Sequence, residues 1–186
     1  YQPKYDIQTN KMIGAEALIR WQHPELGFIS PGEFIPIFEE NGFITELDIY
    51  IWEHVCGFIE KMKNEHNKIL PVSVNVSRKD IYKEGLPEIL KSMVERHNLS
   101  PTYLHLEITE SAYMENTENI LEVVRRLKEY GFIIEMDDFG SGYSSLNILA
   151  ELPIDIIKLD MKFIQNEQKN KNSHNIISSI VNLAKW

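Results

Sequence analysis

The sequence predicts an α/β fold: a TIM-like (β/α)8 barrel with one antiparallel strand, of which the last strands are not contained in the chain. Three observations predict it. Beyond residue 70, short apolar strands alternate with helix-length amphipathic segments, the signature of parallel strands with covering helices. At the start, residues 1–7 and 12–21 are apolar-rich and joined only by Gln8-Thr9-Asn10-Lys11, a connection that suits an antiparallel hairpin. Six strands can be counted over 186 residues, whereas a closed barrel of this type needs eight and typically about 250 residues.

After the hairpin, Ser30 is placed to cap a helix that opens with Pro31 at its first position and runs to about Glu40. Asn41-Gly42 ends it. Leu47, Ile51, Val55, Phe58, Ile59 and Met62 recur at helical spacing, so residues 45–64 form a long amphipathic helix with Cys56 near its packed side. Strands are then expected at 70–77, 103–109, 132–138 and 154–160. Helices are expected at about 84–97, 114–130, 143–151 and 174–185. Residues 166–173 are strongly polar and read as a solvent loop.

Composition narrows the function. No apolar run approaches the ~18 residues of a membrane span. The formal charge of −9, from 19 basic and 28 acidic residues, argues against holding a nucleic acid polymer by counterion release. A small anionic ligand held through metals fits better. The single Cys56 excludes an internal disulfide framework and fits a reducing, cytoplasmic setting. The start at Tyr1, without an initiator Met or signal pattern, reads as the continuation of something longer.

Strands covered on both faces should be almost wholly apolar, and these are not. Alternation puts Glu16 and Arg20 on one face of their strand. It does the same for Ser73, Asn75 and Ser77 opposite three valines, and for His105, Glu107 and Thr109 opposite Leu104, Leu106 and Ile108. Residues 133–138 end in Asp137-Asp138, and residues 154–160 carry Lys158 and Asp160. A single acidic residue at a strand end is usually a solvated loop residue or a helix cap. Five strands delivering Glu, Asn, Glu, Asp and Lys toward the ends where barrel enzymes place their sites point instead to one centre. Clustered carboxylates need protons or cations between them, and oxygen ligands suit Mg2+ or Mn2+. The glycines of residues 138–146 suit either a mobile gate or an ordinary connection to a helix.

Together these motifs resemble the EAL domain family, bacterial phosphodiesterases that hydrolyse cyclic di-GMP. Glu16-Ala17-Leu18-Ile19-Arg20 followed by Trp21-Gln22-His23-Pro24 looks like the segment that gives the family its name. Val74-Asn75-Val76-Ser77, Leu106-Glu107-Ile108-Thr109-Glu110, Asp137-Asp138-Phe139-Gly140-Ser141-Gly142 and Ile157-Lys158-Leu159-Asp160 follow in the family's order, collinear over the whole chain. The resemblance implies a barrel with one early antiparallel strand and a two-ion centre of Mg2+ or Mn2+. Glu16, Asn75, Glu107 and Asp137 correspond to ligands of the first ion, and Asp137 and Asp138 to ligands of the second. Lys158 corresponds to the residue that positions the attacking water, and Glu110 to the glutamate that anchors the glycine-containing loop. Gln2, Leu18, Arg20 and Asp160 correspond to residues that contact the dinucleotide. Ser141 stands where many members have Thr, which keeps the hydroxyl.

The activity so implied is hydrolysis of cyclic di-GMP to linear pGpG, with two ions acidifying a shared water and stabilising charge on phosphorus. The family also carries a glutamate that completes the second metal site and a glutamine that binds substrate, both on later strands. On that account the 186-residue segment alone is expected to be weakly active or inactive. The alternative is a degenerate domain that binds cyclic di-GMP or a protein partner without cutting it. A sugar or phosphate enzyme on the common barrel would not explain the ordered motifs. A homodimer and flanking sensory or GGDEF-type domains are partners the sequence leaves open, and no membrane contact by this domain is expected.

Overall fold

The computed structural model describes residues 1–66, 69–115, 117–140, 152–161, 164–165 and 180–182. Strand β1 (Gln2–Asp6) pairs antiparallel with β2 (Lys11–Glu16). Strands β3 (Trp21–His23) and β4 (Gly27–Ile29) form a separate small hairpin. Helices α1 (Pro31–Asn41) and α2 (Ile44–His66) follow, and then β5 (Val72–Asn75), α3 (Arg78–Ile81) and α4 (Leu86–Arg96). A 3-10 turn at Pro101–Tyr103 leads into β6 (Leu104–Thr109), α5 (Glu110–Glu115), α6 (Thr117–Glu129), β7 (Ile133–Phe139) and β8 (Ile156–Leu159). The main sheet has the order β1-β2-β5-β6-β7-β8, with every pairing after the first parallel. It curls into half a barrel, as the alternation of elements predicts, and the antiparallel strand is β1.

Helices α2, α4 and α6 cover the outer face of this sheet with their apolar stripes. Val72, Val74, Leu104, Leu106, Ile108, Ile134 and Met136 are all 1% exposed or less, and they pack with Trp52, Ile59, Leu90, Val124 and Leu127 in one core. Cys56 lies fully buried among them, where burial pushes its thiol up to about 12. It is apolar filler, as expected for a lone buried thiol. Each strand's alternate side chains face inward instead, so the polar residues at every second position line the lumen of the half-barrel.

Several boundaries depart from the sequence reading. The strand expected at 12–21 ends at Glu16, so alternation does not carry Arg20 onto the face of Glu16; Trp21 begins the β3–β4 hairpin instead. The strand expected to reach Ser77 ends at Asn75, because Ser77 caps α3. The Ser77 hydroxyl accepts from the Asp80 N–H while the Asp80 carboxylate accepts from the Ser77 N–H, a reciprocal box that stops the strand. Ser30 holds the extended backbone of an N-cap without a side-chain hydrogen bond, and Pro31 alone opens α1. Gly42, at φ +85°, closes that helix in the left-handed conformation. The helix expected at 114–130 is two helices, α5 and α6. The helix expected at 143–151 lies outside the described residues. Of the helix expected at 174–185, Ile180–Asn182 are described and helical. No helix among the described residues is long and apolar enough to cross a membrane.

Candidate active site

Parallel register brings the carboxyl ends of the strands together. Asn75 of β5 lies beside Glu107 of β6, Glu107 beside Glu135 of β7, Thr109 beside Asp137, and Gln2 of β1 opposite Glu16 of β2. A register shift in β7 between Met136 and Phe139, with Asp138 at φ +56°, interrupts the pairing with β8 at the paired aspartates. Such bulges re-aim side chains beside active sites, and aspartate tolerates the left-handed region better than most residues.

Lys158 of β8 gathers the upper layer. Its ammonium lies 2.7 Å from Glu107 Oε2, 3.0 Å from Glu16 Oε2 and 3.3 Å from Asp137 Oδ1. Burial pulls the lysine's pKa down, but these carboxylates more than offset it and hold the ammonium above its ordinary value. A second lysine gathers the layer beneath. Lys4 of β1 donates to Ser73 Oγ at 2.6 Å, Glu135 Oε2 at 2.7 Å and Glu107 Oε1 at 2.9 Å. Ser73 donates to Glu135 Oε1, and His105 Nδ1 lies 2.6 Å from the same oxygen. Glu107 and Glu135 are each 1% exposed. Burial pushes Glu107 above the usual carboxylate range despite both lysines, whereas His105 and Lys4 overcome burial at Glu135 and hold it well below.

Of the residues singled out in the sequence, Glu16, Glu107, Asp137 and Lys158 come together in this way. Asn75 and Asp138 stand at the rim, solvent-exposed. Trp52 of α2 fixes the backbone at Asn75 by donating from Nε1 to its carbonyl at 2.9 Å. Glu110 is buried and accepts the Gly140 N–H at 2.9 Å, tying the start of the glycine-containing segment to α5; Ser141 lies outside the described residues. Asp160 donates its N–H to the Phe139 carbonyl. Gln2 and Arg20 are exposed, Leu18 is half-buried, and the Arg20 guanidinium donates to the adjacent Ile19 carbonyl rather than toward the carboxylates. A cavity of about 540 Å³ opens beside Asn75, walled by Ile19, Ile35, Ile51 and Thr109 among others.

Lys4 and Glu135 were not singled out in the sequence. The signal was present: Lys4 shares the phase of Gln2 on β1, and Glu135 that of Asp137 on β7.

Among the described residues, no three His, Cys, Asp or Glu side chains already form a cage for a metal. The donor set nevertheless fits a hard divalent ion: three carboxylates from three strands already close on one cation, the Lys158 ammonium, and the carboxamide of Asn75 stands beside Glu107 in register.

A family model described as EAL domain matches residues 1–186. The chain belongs to the EAL domain family. MucR of Pseudomonas aeruginosa, named a bifunctional diguanylate cyclase and cyclic di-GMP phosphodiesterase, is 35% identical over 185 residues, covering 100% of this chain and 27% of that protein. The cyclic di-GMP phosphodiesterase PA2567 of the same organism is 34% identical over 184 residues, covering 99% of this chain and 31% of that protein. This EAL domain therefore spans about a third or less of these relatives. The structure of the MucR phosphodiesterase in complex with c-di-GMP superimposes with a TM-score of 0.91 at 35% identity, covering all of this chain and 75% of that one.

Proposed function

We propose that this EAL domain hydrolyses cyclic di-GMP to linear pGpG with the help of Mg2+ or Mn2+, as part of a longer bacterial signalling protein. The observation that carries the reading is the convergence of Glu16, Glu107 and Asp137 on Lys158 from four different strands of the half-barrel. Glu16, Asn75, Glu107 and Asp137 would hold one ion, and Asp137 with Asp138 part of a second. When bound, such ions supply a Lewis acid for the phosphoryl oxygens and a water acidic enough to lose its proton near neutral pH. Lys158, at the centre of the carboxylates, orients the attacking water and neutralises charge that develops on phosphorus. Glu110 fixes the backbone at Gly140, just beyond the paired aspartates. The cavity beside Asn75 offers room for part of the dinucleotide; Gln2, Leu18, Arg20 and Asp160, which lie outside its lining, would contact the rest of it. The similarity to MucR and PA2567, named as cyclic di-GMP phosphodiesterases, supports the same substrate here.

The second reading is a domain that binds the dinucleotide without cutting it. The presence of all four residues proposed for the first ion favours hydrolysis. Incubation of the full-length protein with cyclic di-GMP and Mg2+ or Mn2+, followed by separation of nucleotides, distinguishes the two. Metal-dependent appearance of pGpG is expected; tight binding with intact cyclic dinucleotide would overturn the enzymatic reading in favour of the second.

A further inference from the structure

Lys4 lies on the antiparallel strand of the main sheet, opposite Gly14 of β2, where a bulge between Lys4 and Tyr5 shifts the register. Gly14 allows the close packing there: a Cβ on it would stand 2.9 Å from the Pro71 carbonyl oxygen. The Lys4 side chain crosses the lumen to reach β5, β6 and β7 at once. An ammonium has three N–H donors, and Ser73, Glu107 and Glu135 use all three.

Glu107 is consequently gripped at both oxygens, Oε1 by Lys4 and Oε2 by Lys158. The terminal torsion of a glutamate is broad and roughly two-fold, so a carboxylate held at one oxygen only could swing its plane. With Oε1 held from below by a group that is itself anchored on Ser73 and Glu135, Oε2 is left on Lys158, which also holds Glu16 and Asp137. We propose that Lys4 is a positioning residue for the phosphodiesterase centre, which fixes the Glu107 carboxylate in its ligating orientation through the Ser73–Glu135–His105 network. This rests on the assignment of Glu107 as a metal ligand. The competing account is that Lys4 only balances the charge of Glu135.

Mn2+ titration of the full-length protein by calorimetry, with urea unfolding of the same metal-free samples, separates the two accounts. Lys4→Met should weaken Mn2+ binding at least about tenfold, the lower end of the usual loss when a partner that orients a metal ligand is removed. Lys4→Met should also lower the urea midpoint, because the charge of the buried Glu135 carboxylate is then no longer balanced by its lysine. Lys4→Met combined with Glu135→Gln removes that imbalance. In the double variant the midpoint should recover while Mn2+ binding stays weak, and with saturating Mn2+ the loss should fall on kcat rather than on the KM for cyclic di-GMP. Recovery of wild-type Mn2+ affinity in the double variant would overturn the positioning role. Glu107→Gln is the control: if it leaves Mn2+ affinity unchanged, the ligand assignment itself has failed, and a loss there with normal affinity in the Lys4 variants rejects this inference alone.

Discussion

Two pairs of acidic side chains are buried in this domain, and they are stabilised by opposite means. In the lumen, Glu107 and Glu135 are surrounded by Lys4, Lys158 and His105, so every buried carboxylate oxygen faces a donor. On the helical side, Asp48 of α2 faces Asp80 of α3, with the acidic Glu39 also nearby. Asp80 Oδ1 is buried and receives no hydrogen bond from the N–H and hydroxyl donors around it. Burial together with Asp80 pushes Asp48 up to about 9, so at neutral pH it carries a proton that supplies the missing donor. In the lumen the cations orient both carboxylates and hold Glu135 well below its ordinary value, although burial still raises Glu107; at the helical pair a proton takes the place of the cation. The lysines therefore set the luminal cluster, which contains the residues of the proposed centre, apart from the helical pair.

The largest effect should come from removing the cation at the rim. Lys158→Ala is expected to lower pGpG formation by at least about 100-fold, the scale of losing one preorganised electrostatic contact in a reacting site, while Mn2+ affinity is largely retained. Comparable turnover in the variant would take Lys158 out of the chemistry. Next in size is the lower layer of the lumen. Glu135→Leu leaves Lys4, Ser73 and His105 facing an apolar side chain, and breaking a buried ion pair from one side costs about 3–5 kcal/mol. Urea unfolding measures it, and a loss below about 1 kcal/mol, the range of exposed pairs, would mean that water replaces Glu135 at little cost.

These comparisons also show which parts of the molecule the sequence made legible. The α/β class followed from the alternation of strands and helices and the antiparallel first strand from the short connection at residues 8–11, while the polar lumen followed from period-two alternation in Val72–Asn75 and Leu104–Thr109, where one pattern sets both the strand and its faces. Glu16, Glu107, Asp137 and Lys158 could be read the same way, since their strands are regular up to those residues. Arg20 could not, because β2 ends at Glu16 and the phase argument stops with the strand. Ser77 was misplaced for a related reason: its hydroxyl serves the Asp80 N–H, a local capping contact that outcompetes the ladder. Lys4 was missed because an exposed edge strand gives a lysine an ordinary solvated reading, and only the curl of the sheet brings it within reach of residues 69, 103 and 131 positions away. The Asp48–Asp80 pair was invisible for the same reason, each residue lying on an element that reads as a plain amphipathic or capping segment.

The helical pair makes the finest test of the contrast. In the unfolded chain Asp48 titrates near 3.8, and in the folded domain near 9. Between those values the folded state holds a proton that the unfolded state releases, so the contribution of this group is fullest below about pH 4 and is lost progressively as pH rises toward 9. One such group gives at most about 1.4 kcal/mol per pH unit. Asp48→Asn keeps an N–H donor for Asp80 and has no proton to lose. Urea unfolding at pH 6 and pH 8 should therefore show a decline in the wild type that is smaller in the variant by about 1 kcal/mol or more. His97, whose pKa Glu60 and Glu53 raise against the effect of burial, titrates alike in both proteins and cancels in the comparison. Parallel declines would show that the proton is not on Asp48, and that the two acidic clusters do not differ in the way their partners indicate.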